Sequence, residues 1–177
     1  MKIIVVSDTH GRYDRLASLM RMHKDADALI FLGDGLNDLA RADAYSYPFT
    51  VYSVKGNCDG FSFFSQGIPA EDEMTLCFDG IRLFFLHGHT RSVKNGMTRA
   101  VLAARSKDAD VLLFGHTHVP TDTYIPEETG DDGSVIYKPL RIFNPGSLGA
   151  SGDGAAHFGL IEIRNGSVLT SHGILKQ

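Results

Sequence analysis

KIIVVSDTH, residues 2–10, sets the terms on which this chain is read. It is a continuous apolar run, the pattern of a β-strand buried on both faces, and it ends directly in an acid and an imidazole two residues apart. Alternate side chains at a strand end face the same way, so Asp8 and His10 arrive together just beyond the sheet. A carboxylate beside an imidazole suits Mn, Fe, Zn or Mg. Taken alone, such a pair serves equally well as a cap, a surface polar group or a hydrogen-bonded core histidine.

Working outward, the arrangement recurs. The strand at residues 28–32 (ALIFL) runs into Gly33-Asp34, and TVYSV (50–54) precedes Gly56-Asn57-Cys58-Asp59. IRLFFL (81–86) is followed by His87-Gly88-His89, and DVLLF (110–114) by Gly115-His116-Thr117-His118. The ends of neighbouring strands converge, so polar groups repeated at five of them describe one shared site, here a site for two metal ions. Asp34 can bridge two cations, or serve as a helix N-cap or Asx-turn, since Gly35 and Asn37 make the next stretch turn-like. Asn57 offers a neutral ligand oxygen, or a cap.

The rest of the pattern builds the frame. Apolar residues Tyr13, Leu16, Leu19 and Met20, with His23, follow at helical spacing, giving a β-α-β opening half with parallel strands. Residues 74–78 and 81–86 flank Asp79-Gly80, a strong two-residue hairpin signal, and antiparallel pairing is expected from there on. A helix is expected over 97–105, with Val101 and Leu102 facing inward, before the buried strand at 110–114. Short strands follow at 121–125, 134–137, 140–143, 158–163 and 168–174. Asn165-Gly166 joins the last two as a hairpin, and 127–133 reads as an acidic loop. Two stacked mixed sheets with helices on the outer faces accommodate so many strands and so few helices.

Composition narrows the class. At 177 residues and 43% hydrophobic, the chain is expected to form one domain over 1–177. The first strand starts at Lys2 with no apolar leader before it, and no apolar run approaches the roughly 20 residues that cross a bilayer, so the expectation is a soluble cytoplasmic protein without a membrane partner. Two cysteines, Cys58 and Cys77, are too few for a disulfide framework and read as free thiols. A formal charge of -4 gives no basic footprint for duplex nucleic acid, although two bound dications would offset it.

In order and spacing, Ser7-Asp8-Thr9-His10-Gly11, Leu32-Gly33-Asp34, Gly56-Asn57-Cys58-Asp59, His87-Gly88-His89 and Gly115-His116-Thr117-His118 resemble the motif set of the calcineurin-like metallophosphoesterase superfamily, in its small single-domain YfcE-type branch. Asn144-Pro145-Gly146-Ser147 resembles a further segment of that family. The resemblance implies an α/β, four-layer αββα sandwich of two mixed β-sheets flanked by helices. It also implies that Asp8, His10 and His118 hold one metal, that Asn57, His87 and His116 hold the other, and that Asp34 bridges both. Manganese is the foremost expectation, with Fe, Zn, Ni or Mg as the other choices. Two such ions acidify a bridging water to hydroxide and clamp phosphoryl oxygens for in-line displacement, so the implied activity is that of a metal-dependent phosphoesterase, foremost a phosphodiesterase acting on a small phosphate ester.

One position departs from many relatives. Where they carry a histidine after the Asn of the third motif, this chain has Cys58, a weak hydrogen-bond donor that gains little against a phosphoryl charge. A weaker general acid raises the barrier most for poor leaving groups, so phosphodiesters or activated aryl esters are expected to be preferred over alkyl monoesters and phosphoproteins. His89 is the stand-in acid or phosphate contact, or else a loop histidine exposed to solvent. Asp34, Asn57, Cys58 and His89 are thus the residues expected to act on substrate, with Asp59 orienting a ligand histidine from behind.

Phe61, Phe63 and Phe64 read as packed core, a pocket wall or a subunit contact, and a homo-oligomer is left open. His23, His157 and His172 read as surface or structural, and residues 149–154 lack the lysine and the following helix of a phosphate-binding loop. Two other functions fit the same frame. One is a non-catalytic protein-binding scaffold, as in a family relative that serves the retromer coat. The other is a nuclease, disfavoured by the acidic chain.

Overall fold

β1 (Lys2–Val6), β2 (Ala28–Phe31) and β3 (Thr50–Ser53) lie side by side and parallel in the computed structural model, which describes residues 1–60 and 68–176. Phe61, Phe63 and Phe64 lie outside the described residues. α1 (Tyr13–Met22) connects β1 to β2, and α2 (Leu36–Arg41) leaves β2 toward β3. β4 (Glu73–Phe78) and β5 (Ile81–Leu86) form the expected hairpin about Asp79-Gly80. α3 (Thr98–Ser106) then precedes β6 (Val111–Phe114).

Beyond these come β7 (Thr121–Ile125), the short pair β8 (Glu128–Thr129) and β9 (Val135–Tyr137), and β10 (Leu140–Asn144). The chain closes with the hairpin of β11 (His157–Arg164) and β12 (Ser167–Ile174). One five-stranded sheet runs β12-β11-β1-β2-β3 and the other β4-β5-β6-β10-β7, so both are mixed.

Three apolar layers separate four layers of backbone. Between the sheets, Ile3, Val5 and Ile30 meet Phe85, Leu113 and Phe143. On the outer face of the first sheet, Ile4, Val6, Leu29 and Phe31 pack against Leu16, Leu19 and Met20 of α1 and Leu36 and Leu39 of α2. On the outer face of the second, Phe84, Leu86, Leu112 and Phe114 meet Ala100 and Ala104 of α3. Successive residues of β1 therefore enter two different cores, which is why its sequence is apolar from Ile3 to Val6. Each such buried aliphatic or aromatic side chain stabilises the fold by about 1.5–3 kcal/mol.

The observed architecture is the αββα sandwich, with four local differences from expectation. Pairing after residue 67 is not uniformly antiparallel, because β5, β6 and β10 run parallel. The 127–133 stretch contains β8 rather than loop alone. The turn-like segment after Gly35 is helical, being short but anchored from outside, as described below. In α3 the inward face is Ala100 and Ala104, whose small side chains let the helix lie close to the sheet. Val101 packs at the edge of that core, and Leu102 points outward with 53% of its surface exposed.

Candidate metal centre

The two sheets deliver their ligands to one place. β1 ends toward Asp8 and His10, β2 toward Asp34, and β3 toward Asn57, while β5 and β6 of the other sheet end at His87 and at His116 and His118. Backbone shape marks the site too. Asp8 (φ 55°), His10 (45°), Asp34 (58°), His116 (66°) and His118 (61°) all adopt the left-handed region. Each such residue costs on the order of 1–3 kcal/mol and persists only where its surroundings over-determine it. Here they do: Asp8 N–H donates to Gly33 O at 2.9 Å, His10 N–H donates to Asp34 O at 3.2 Å, and Asp8 O accepts from Gly149 N–H at 3.0 Å and Ser147 Oγ at 2.8 Å.

Asp8 is fully buried, and its two oxygens differ. Oδ2 accepts from Ser7 Oγ and from His116 N–H. Among the described residues Oδ1 has no hydrogen-bond partner, although His118 Nε2 at 3.1 Å, His10 Nε2 at 3.7 Å and His87 Nε2 at 4.0 Å surround it. An orphaned carboxylate oxygen ringed by imidazole nitrogens is what a cation site of hard oxygen and borderline nitrogen donors requires. Asp34 is 3% exposed, with Oδ1 accepting from Cys58 N–H at 2.7 Å. Its Oδ2 lies between His87 Nε2 at 3.4 Å and His10 Nε2 at 4.0 Å. Three groups of donor atoms lie close enough to hold an ion, Asp8–His10–His118, Asp34–His87–His116 and His10–Asp34–Cys58, and the first two are the clusters that match the expected ligand sets.

The ring nitrogens away from the centre fix which atom faces it. His87 Nδ1 meets Leu32 O at 2.6 Å and His118 Nδ1 meets Ala150 O at 2.9 Å, so in both rings the proton sits on Nδ1 and Nε2 presents a lone pair. Burial opposes ionisation of Asp8, but His10, His118, His87 and the Ser7 hydroxyl outweigh it and hold the carboxyl well below the usual range. Burial likewise works against Asp34, whose pKa nevertheless falls to about 2 because His87 and the Cys58 amide favour the anion. Burial, then His87 and Lys94, push His116 down to about 4. Both carboxylates are therefore anionic and His116 is neutral at physiological pH.

Asn57 reaches the second cluster, with Oδ1 at 3.2 Å from His87 Nε2. Cys58 is exposed beside it and lines a cleft of about 470 Å3 together with His10, Asp34 and Arg41. Burial of the thiol and the neighbouring Asp34 push the Cys58 pKa up to about 11. His89 lies against His87 and His116, with ring centroids 5.4 and 6.2 Å away, and its buried Nδ1 has no partner among the described residues. It is partly buried rather than a freely exposed loop histidine.

Asp59 supports the site through backbone amides. Its carboxylate accepts from the backbone N–H groups of Asp34, Gly35, Leu36 and Gly56 at 2.7–2.9 Å. This pins the Asp34 turn and caps α2, a helix of six residues too short to persist alone. Gly56 is needed for the same packing, since a Cβ there would meet Asp34 Oδ1 at 2.1 Å.

The segment from Asn144 to Ala150 carries contacts that the sequence reading left without a role. Asn144 Nδ2 donates to Gly115 O and Thr117 Oγ1, both at 3.0 Å, and so shapes the turn bearing His116 and His118. Ala150 supplies the carbonyl that orients His118, and Arg15 of α1 donates to Leu148 O at 2.9 Å. His172 and His157 brace this segment from behind, His172 Nε2 meeting Asn144 O at 2.7 Å and His157 pairing with Asp153. A backbone carbonyl leaves no residue-type signal; only the Asn-Pro-Gly-Ser resemblance pointed there.

The model of the calcineurin-like phosphoesterase superfamily domain matches residues 1–166. The chain belongs to this superfamily. Among curated relatives of this superfamily member, the probable metallophosphoesterase YsnB of Bacillus subtilis (strain 168) is 28% identical over 149 residues, covering 84% of this chain and 75% of its own. Phosphodiesterase YfcE of Escherichia coli (strain K12) is 28% identical over 189 aligned residues, covering 92% of this chain and 88% of its own. Among solved structures, Vps29 of Chaetomium thermophilum superposes with a TM-score of 0.70 at 16% identity, over 99% of this chain and 95% of that one, a likeness of fold alone.

Proposed function

We propose that this calcineurin-like phosphoesterase is a phosphodiesterase that works with two divalent metal ions, manganese foremost. The observation that carries the reading is Asp8 Oδ1, buried, unpartnered among the described residues and ringed by three imidazole nitrogens, with Asp34 Oδ2 between His87 and His10 of the two ligand clusters. Asp8, His10 and His118 would hold one ion and Asn57, His87 and His116 the other, with Asp34 shared. When bound, such a pair supplies Lewis acidity toward the phosphoryl oxygens and a nucleophile at neutral pH.

The protein's own groups decide what that chemistry can act on. His87 and His118, anchored through Nδ1, keep their Nε2 lone pairs turned inward. Cys58, with a pKa of about 11, keeps its proton, and as a thiol it is a poor hydrogen-bond donor to a departing oxygen. His89 is held below the ordinary imidazole range, by burial first and His87 second, and so is neutral at pH 7. Neither group is a strong proton donor at neutral pH, which favours esters whose leaving group departs without one. Activated aryl esters and phosphodiesters are therefore the preferred substrates, and alkyl monoesters poor ones.

The test combines metal analysis of the purified protein with turnover of bis(p-nitrophenyl) phosphate and an alkyl phosphomonoester at saturating Mn2+, with His116→Ala as control. Turnover of the diester should exceed that of the monoester, vanish on chelation and return with Mn2+. Equal or reversed rates would remove the leaving-group argument, and undiminished activity in His116→Ala would remove the metal assignment. The likeness to Vps29 supports a second reading, a protein-binding scaffold; a complete donor set weighs against it, and absence of Mn2+-restored hydrolysis would favour it.

A further inference from the structure

Beside the ligands His10 and Asp34, the cleft of about 470 Å3 is lined, among the described residues, by the carboxylates of Asp38 and Asp59 and by the guanidinium of Arg41. The three carboxylates are engaged. Asp34 accepts from Cys58 N–H, Asp38 accepts from Thr9 Oγ1 at 2.6 Å and Gly11 N–H at 2.8 Å, and Asp59 takes four backbone amides. Arg41 is different. Its guanidinium carbon stands 3.8 Å above the centroid of the Tyr13 ring, and among the described residues no carboxylate lies within ion-pair distance of it.

A guanidinium stacked on an aromatic face has its plane fixed while its in-plane N–H donors remain free, the geometry that matches a phosphate or carboxylate edge-on. The last residue of α2 and the first of α1 provide this arrangement, and both helices are packed rigidly on the first sheet. The cleft is of a size that takes a nucleotide-sized ligand.

We propose that Arg41, held on Tyr13, receives a second phosphate group of the substrate while the scissile phosphodiester sits at the metal centre. The inference rests on the phosphoesterase reading and narrows it to substrates carrying two phosphates, one of them remote from the reacting bond. Lys94, on the side of His116 and His118, exerts a general positive field there and serves as the contrast.

The test uses two substrates with one leaving group, thymidine 5′-(p-nitrophenyl phosphate) with and without a 3′-phosphate. The wild-type Mn2+-loaded protein should prefer the 3′-phosphorylated compound by about tenfold in kcat/KM, the order expected for one charge-assisted contact at an open site. Arg41→Ala should abolish that preference and leave turnover of the other compound unchanged, whereas Lys94→Ala should retain the preference. Equal effects of Arg41→Ala on both compounds, or loss of the preference in Lys94→Ala, would overturn the proposal.

Calorimetric binding of thymidine 3′,5′-bisphosphate against thymidine 5′-monophosphate separates the two levels of argument. A wild-type preference for the bisphosphate that Arg41→Ala abolishes, without any hydrolysis, would sink the phosphoesterase reading and leave the Arg41 site standing. Hydrolysis with no such binding preference would do the reverse.

Discussion

The Nε2 atoms of His10 and His118 stand 3.3 Å apart, and both face Asp8 Oδ1. Because His118 directs Nδ1 to Ala150 O, its neutral form leaves Nε2 without a hydrogen toward that contact. Two imidazoles directing nitrogen toward one buried carboxylate oxygen gain most when a cation takes the proton's place. His118→Ala is therefore expected to fold and to carry about half the metal of the wild-type protein, since it dismantles one cluster and leaves Asp34–His87–His116. Metal analysis after dialysis checks this. Full wild-type content would show that His118 is not a ligand.

Metal uptake should depend on pH in a definite direction. Asp8 raises the pKa of His118, and for His87 the carboxylates of Asp34 and Asp8 overcome the opposing effect of burial. A raised pKa means that the metal-free protein carries these protons further toward neutrality, and a binding cation must displace them. Apparent Mn2+ affinity is expected to rise from pH 6 to pH 8 with release of protons, while His116, at about 4, contributes nothing over that range. Calorimetry in two buffers of different ionisation enthalpy counts the protons, and a pH-independent affinity would contradict the assignment of His87 and His118.

Asp59→Ala tests the support beneath Asp34. The substitution leaves four backbone N–H groups around a largely buried turn without their acceptor. Each unsatisfied buried donor costs about 1–3 kcal/mol, and after water re-enters the turn the net loss should be about 2–4 kcal/mol in urea unfolding. Metal affinity should fall with it, by about 10–100-fold, since Asp34 loses its fixed position. A variant with unchanged stability and weakened metal binding would instead place Asp59 among the ligands.

Cys58 offers a chemical readout. Burial and Asp34 raise its pKa to about 11, so the reactive thiolate is scarce at neutral pH despite the exposure of the side chain. In metal-free protein, alkylation by iodoacetamide should be slow at pH 8 and accelerate up to about pH 11, whereas exposed Cys77 serves as the internal comparison. Mass spectrometry of the two peptides reads both rates. A half-maximal rate near pH 8 at Cys58 would restore it as a candidate general acid.

The strands were legible because β1, β2, β5 and β6 are buried on both faces and written as runs that are apolar apart from Lys2 and Arg82, and the donors were legible because they follow those runs directly. α2 was not, since a six-residue helix has too little internal stabilisation and is held by Asp59, a residue that follows it by 18 positions or more. The inward face of α3 was misjudged for a related reason. Val101 and Leu102 were expected to face inward, but closeness of approach to the sheet selects Ala100 and Ala104.

The sequence by itself determined which residue types stand at the strand ends and that the strands are buried, because both depend only on local pattern. Tertiary structure alone decided the rest. It set Asp8 Oδ1 among nitrogens from two sheets, turned His118 by the carbonyl of Ala150, and placed Arg41 over Tyr13. Those relationships join residues distant along the chain, often through backbone atoms common to every residue, so side-chain pattern does not encode them and only packing brings them together.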